Sequence, residues 1–396
     1  MSELQIDLRD ERFQTDRYAY IEELRAQSFY GRTADGAVVF FNQPDVLEVF
    51  RCIDFQFAFN HIDESRSPYL AKAIKHELLN MHGAAHKRLS MLVKKALRDR
   101  VIEGMREKIA VIVDGLIDAM PDDGDIDFCA AFADPLPARV LGPVFGIPYE
   151  DTDGLNEWIR VGGRKVDALQ SGVGLAAVED ANRNIHSFLR QLIAERRDSN
   201  GDDLFSELMR AEIDGDRMSE DELVYLAGEL ASAGVDTTRA QLPLIVNMLL
   251  AYPEQMKLLR DNPELAYRTV DEGMRFAPLP WAIPHRVTKN QTYKGIELKN
   301  GDDVFVMIPA ANRDPDVIDR PNEFDITRDK IIHFAFGAGM HSCPGSQLAK
   351  MEMAMALKSL VSRLPVMERA SDPEWEPGQK DRTLRRLPIR IVKNDS

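Results

Sequence analysis

Cysteine is scarce in this chain: Cys52, Cys129 and Cys343 are the only three in 396 residues. They are too few and too scattered for a disulfide framework, so a reducing compartment, the cytoplasm, is expected, where a thiol stays available for other chemistry. No run of about 18 apolar residues occurs, so no membrane-spanning helix is expected. The first ten residues are polar and acidic, unlike a signal peptide or a membrane anchor. Lys and Arg number 50 against 65 Asp and Glu, a formal charge of −15 that argues against nucleic acid as a main partner. Internal repeats, low-complexity tracts and any Gly/Ser- or Pro-rich linker are missing too. Pro121-Asp122-Asp123-Gly124-Asp125 reads only as a turn between periodic segments. Length alone would suit two or three domains, but without a linker a single domain over residues 1–396 is the expectation. With 44% hydrophobic residues, the chain has ample material for a large core.

What is present is mostly helical periodicity. Asp16 to Gln27, Gly83 to Leu97, Val101 to Met120 and Ala176 to Arg197 carry apolar residues at three- and four-residue intervals. The longest predicted helix runs from Ser219 to about Leu250, opened by a capping box of Ser219 and Glu222. Two more follow at Pro253 to Asp261 and Glu264 to Phe276. Strand signals are fewer: Ala37 to Phe41, then Tyr293 to Glu297, a turn at Asn300-Gly301, and Val304 to Ile308. The fold class is therefore mainly α with small β-sheets.

One segment carries chemistry. Phe336-Gly337-Ala338-Gly339-Met340-His341-Ser342-Cys343-Pro344-Gly345 places a cysteine in a glycine-rich loop just before a helical run, Ser346 to Leu360. A thiolate there lies near the positive end of a helix dipole and suits the axial position of a haem iron. Gly337, Gly339 and Gly345 would let the backbone pass close to a flat cofactor. A buried structural cysteine beside a turn is the plainer alternative. The string F-G-x-G-x-H-x-C-x-G resembles the haem loop of the cytochrome P450 superfamily, and matches of this kind run from about residue 80 to 365. The resemblance implies a P450 fold with a long central helix over the haem. It implies Cys343 as ligand to the iron of haem b, with Phe336, Gly337 and Gly345 around it. His341, Arg286 and His86 would hold the propionates. Two departures stand out. Pro344 has no N–H to offer the thiolate, and Ser90 occupies a place where the family often has arginine, which puts the usual two-arginine clamp in doubt.

A second match is Ala233-Gly234-Val235-Asp236-Thr237-Thr238. Glycine and two threonines are locally unfavourable inside a helix, a conflict that often marks a functional site. The string resembles the family's oxygen-activation segment, where the helix opens locally. There Ala233 would face the haem, Thr237 would hold dioxygen and water, and Asp236 would relay protons, as O–O cleavage requires. A threonine bonded back to the carbonyl four residues earlier is the alternative. Pro243 should bend the same helix. Glu272 and Arg275 match the family's E-x-x-R, a structural pair, with Arg328 as candidate third partner. Ala310-Ala311-Asn312-Arg313-Asp314-Pro315 and His333-Phe334-Ala335 also resemble strings of soluble bacterial members.

The resemblance implies a monooxygenase that inserts one atom of O2 into a C–H bond of a small to medium apolar substrate, a terpenoid, steroid, fatty acid or aromatic. Ser232, Leu279, Trp281 and Ile283 are candidate pocket residues, with Phe55, Phe57, Phe59 and Tyr69 as apolar walls or plain core. Glu229 lies seven residues before Asp236, on the same helix face. It would recognise a donor on the substrate or turn aside to a buried partner. No flavin or iron–sulfur segment is present, so electrons from NAD(P)H must arrive through a separate ferredoxin and its reductase. Lys94, Lys95, Arg98 and Arg100, with Lys350, form its expected basic docking face; a monomer without a membrane partner is expected. A peroxide-driven peroxygenase and a non-catalytic haem or ligand-binding relative are the alternatives. Asp236 and Thr237 argue against the first, because peroxide brings its own protons and electrons.

Overall fold

A computed structural model describes residues 3–57, 63–147, 152–197, 201, 203–213, 215–364, 366–376 and 383–392. Helix accounts for 57% and the sheets are small. The chain divides into two compact units. The first comprises residues 1–60, 244–343 and 374–385, and the second residues 61–243, 344–373 and 386–396.

The first unit is built on a six-stranded sheet in the order Gln5–Ile6, Tyr30–Thr33, Val38–Phe40, Asp303–Met307, Ala282–Val287, Phe55–Phe57. Asp303–Met307 runs parallel to Val38–Phe40 and antiparallel to Ala282–Val287. Val38, Phe40, Val304 and Val306 are fully buried in the core on this sheet. Phe55 and Phe57 alternate inward from the edge strand, opposite Val287 and His285. They are core side chains; Phe59 lies outside the described residues. The stretch Tyr293 to Glu297 is not one strand, as its composition suggested, but the turn of a hairpin pairing Gln291–Tyr293 with Ile296–Leu298. Lys294 and Gly295 both have positive φ, 48° and 84°, as a tight hairpin turn requires.

The second unit is helical apart from a three-stranded sheet, Val366–Arg369, Pro388–Val392 and Gly124–Asp127, and a short hairpin of Glu212–Ile213 with Asp216–Arg217. Its helices include Gly83–Ala96, Asp99–Asp118, Asp153–Gly162, Lys165–Ser171, Leu175–Arg196 and Ser346–Arg363. The long helix spans Glu220–Ala251, and both arms of its capping box form. Glu222 N–H donates to Ser219 Oγ at 3.2 Å, and Ser219 N–H donates to Glu222 Oε2 at 2.8 Å. Pro243 sits inside this helix and does not end it. A π-helical turn at Cys129–Ala133, unmarked by any sequence signal, follows directly on the strand Gly124–Asp127.

Candidate active site

The cysteine loop belongs to the first unit. Gly337 and Gly339 hold left-handed φ of 64° and 70°. A Cβ on Gly339 would overlap the carbonyl oxygen of Phe50, so that position needs glycine for space as well as conformation. Gly337 N–H donates to Phe334 O at 2.8 Å, and Cys343 N–H donates to Phe336 O at 2.9 Å, which closes the loop around a 3-10 turn at Gly339–His341. Phe336 stands 5.8 Å, ring to ring, from His333. Among the three cysteines Cys343 alone is exposed. Cys129 is buried, and burial, followed by Asp127 and Asp134, pushes its thiol up to about 12. No residue from 335 to 350 is buried, in the middle of a large folded chain. An exposed sulfur on a rigid, glycine-shaped loop fits a haem iron and its flat ring.

Behind the loop lies a fully buried ionic network. Arg275 clamps Glu272 through Nε–Oε2 at 2.7 Å and Nη2–Oε1 at 2.8 Å, with both side chains 0% exposed. Its remaining protons go to the carbonyls of Asn312 (3.2 Å), Pro321 (2.8 Å) and Glu323 (2.8 Å). Arg328 is the third partner: its Nε donates to Glu272 Oε1 at 3.1 Å. Asn312 in turn accepts the N–H of Phe334 at 2.8 Å, just before the cysteine loop.

Other residues proposed from the sequence fall differently. Arg286 is exposed and pairs with its cross-strand neighbour Asp303 at 2.9 Å. His86 is buried on Gly83–Ala96, where burial, then His82 and Lys94, lower its pKa. Trp281, a candidate pocket wall, packs into the core of its unit. It is 3% exposed and packs edge-on against Phe13, ring centroids 5.1 Å apart, because it joins the N-terminal apolar cluster of its unit. Leu279, Ile283 and Ser232 are partly exposed. In the basic cluster, Lys95 donates to the Glu212 carbonyl and Arg98 pairs with Glu207 at 2.9 Å, while Lys94 and Arg100 stay exposed.

On the long helix Ala233, Gly234 and Thr237 are exposed, although buried residues flank them on both sides. Thr237 Oγ1 donates to Ala233 O at 2.7 Å, so the helix is closed here and the hydroxyl is bonded back, the alternative noted above. The Asp236 carboxyl is raised by burial against the lowering pull of Arg239, Lys165 and Arg164. Arg239 lies 3.6 Å from it.

Glu229 is held by backbone: its two oxygens accept the N–H groups of Leu78 at 2.6 Å and Leu79 at 3.1 Å. It turns aside rather than presenting an unengaged acceptor to a substrate. Burial, then neighbouring Glu77, raise it to about 7. Glu77 forms an ion pair with Lys165. Nearby, Tyr69 Oη lies 2.6 Å from His186 Nδ1, and burial drives His186 down to about 4. Glu77, Lys165 and His186 carried no sequence signal, because only the fold brings them to Glu229. In the unfolded chain Glu229 ionises near 4.5, but in the folded protein only near 7. Between those values the folded chain keeps a proton that the unfolded chain has lost, so stability falls as pH rises through the window. Glu229→Gln cannot ionise. Its stability relative to the parent should improve by on the order of 2–3 kcal/mol from pH 5 to 8. Urea midpoints at both pH values measure this, and a constant gap would show ordinary ionisation.

The family model for cytochrome P450 matches residues 175–391, more than half of the chain. The chain belongs to the cytochrome P450 family. Cytochrome P450 107B1 of Saccharopolyspora erythraea is 33% identical over 83% of this chain and 80% of its own length. The cytochrome P450 monooxygenase PikC of Streptomyces venezuelae is 33% identical over 80% of this chain and 76% of that relative. Among solved structures, CalO2 superimposes with a TM-score of 0.89 at 28% identity, covering 98% of this chain and 99% of that one. P450BioI, solved with a hexadec-9Z-enoic acid-ligated acyl carrier protein, gives 0.88 at 26% identity, covering 96% and 100%. This P450 is a haem-thiolate monooxygenase that uses haem b, O2 and electrons from NAD(P)H delivered by redox partners. No helix among the described residues is long and apolar enough to cross a membrane.

Proposed function

We propose that Cys343 would ligate the haem iron of this P450, that Asp236 and Thr237 deliver protons, and that the enzyme hydroxylates a small to medium apolar molecule of the terpenoid, steroid, fatty acid or aromatic kind. The observation that carries this reading is Cys343 itself, the exposed sulfur of a loop whose left-handed glycines pack its backbone closely against Phe50. Haem iron, when bound, supplies the activation of dioxygen for insertion into a C–H bond. The chain's task is to anchor the group, exclude water and move protons. Cys343 Sγ would be the ligand to its iron. His341, Arg286 and His86 are the propionate donors, with Arg286 exchanging its Asp303 partner for the new carboxylate. Thr237 Oγ1, whose own proton points to Ala233 O, keeps lone pairs to accept a hydrogen bond. Asp236, raised by burial, retains a proton more readily than an ordinary aspartate and can pass it on.

We further infer a ferredoxin as donor, approaching Lys94, Lys95, Arg98 and Lys350, and a monomer of a single functional domain in the cytoplasm. Turnover with ferredoxin, its reductase and NAD(P)H, set against turnover with peroxide, tests the proposal. Product only with peroxide would favour a peroxygenase, and no product with any ligand that shifts the haem spin state would favour a binding protein. Asp236→Asn should lower product formed per electron by roughly 10²-fold, the usual contribution of a positioned proton donor.

A further inference from the structure

Gly163 follows the helix Asp153–Gly162 with φ −60° and ψ −20°, ordinary right-handed helical values. Any L-residue adopts that conformation, and alanine would favour it over glycine. Its N–H makes a normal helical bond to Ile159 O at 2.9 Å. The backbone thus gives no reason for glycine here. Space does. A Cβ at position 163 would lie 2.5 Å from Asp236 Oδ2, its nearest neighbour, with Ile159 O next at 3.3 Å and Asp236 Cγ at 3.7 Å. One carboxylate oxygen of the long helix therefore sits in the notch that the missing side chain leaves.

We infer that Gly163 is the positioning residue for Asp236: by lacking a side chain it seats the carboxyl against the end of Asp153–Gly162 and fixes the direction in which its proton is offered. The charged groups facing this carboxyl are Arg239 on its own helix and Arg164 and Lys165 on the segment that carries the notch. Their pull on the carboxyl depends on where the notch holds it. The functional use of the seat rests on Asp236 being the proton-delivering acid; the seat itself does not.

Gly163→Ala is the test. Ordinary contact begins at 3.4 Å, so Asp236 Oδ2 must retreat by close to an ångström, and it can, being the end of a flexible side chain. The variant should fold normally. Its Asp236 carboxyl, followed by NMR titration of ¹³C-aspartate protein with Asp236→Asn for assignment, should titrate lower than in the parent. Product per electron should drop by roughly 10-fold, less than the 10²-fold ascribed to misplacing a reacting group by a full ångström. In Asp236→Asn, adding Gly163→Ala should cost nothing further. An unmoved titration, or losses that multiply in the double variant, would overturn the inference. A moved titration with Asp236→Asn itself fully coupled would leave the seat in place and overturn the proton role instead.

Discussion

Cys343→His, expressed with porphyrin supply, is expected to lose the strongly red-shifted Soret band of the reduced carbon monoxide complex and to show no monooxygenation above background. The loop that carries the residue is shaped by backbone rather than by the sulfur. Gly337 and Gly339 hold their positive φ against Phe334 and Phe50, and Cys343 meets Phe336 through its backbone N–H. Replacing the side chain therefore leaves the loop standing and changes only the donor atom. A neutral imidazole lacks the negative charge by which a thiolate favours O–O cleavage, so haem uptake and catalysis separate in this variant. Cys343→Ser, a smaller change, should give the same loss. Absorption spectra of the reduced, carbon monoxide-treated proteins decide it, and an unaltered band in either variant would refute Cys343 as ligand.

Arg275→Ala should destabilise its unit by about 3–5 kcal/mol, the range found when one member of a buried ion pair is removed. Glu272 would keep Arg328 at 3.1 Å and the Asp325 N–H at 2.9 Å but lose its bidentate partner. The carbonyl of Pro321 would lose its donor as well, while that of Glu323 would keep only Arg328 Nη2 at 2.9 Å. Because Asn312 bridges from Arg275 to the backbone of Phe334, the damage should reach haem retention as well as folding. Arg275→Lys should rescue little, since an ammonium cannot fork to two carboxylate oxygens and three carbonyls at once. The shift of the urea midpoint and the haem-to-protein ratio after purification measure both effects. A variant within 1 kcal/mol of the parent, a loss typical of exposed pairs, would show the network to be dispensable.

The contrast between what was legible and what was not follows the range of the interactions. The capping box of Ser219 and Glu222 lies within four residues, and both of its hydrogen bonds form. The helix Pro253–Asp261 agrees with its periodicity at both ends. The strand reading of Tyr293 to Glu297 failed because Lys294 and Gly295 outweigh the neighbouring apolar residues, a turn signal stronger than composition. Trp281 was placed in the pocket by its neighbours in sequence, yet its partner is Phe13, some 270 residues away, which no local pattern announces. The cluster of Glu77, Lys165 and Glu229 is hidden for the same reason. Arg328 could be named in advance only because the family pattern expects an arginine near Pro321–Phe324 and that stretch has none.

The sheet of the first unit joins the beginning of the chain to its last third. Val38–Phe40 has Asp303–Met307 as its parallel neighbour, and the cysteine loop rests against Phe50. On a ribosome adding about 5–20 residues per second, roughly 10–50 s separate the emergence of the first strand from that of its mate. During that interval Val38–Phe40, paired only with Tyr30–Thr33, presents an apolar edge that lacks its second ladder, the kind of segment that chaperones bind and that aggregates when left alone. If Cys343 holds the haem as proposed, cofactor capture waits for nearly the whole chain, and the yield of coloured protein will depend on how the nascent N-terminal region is sheltered until the rest arrives.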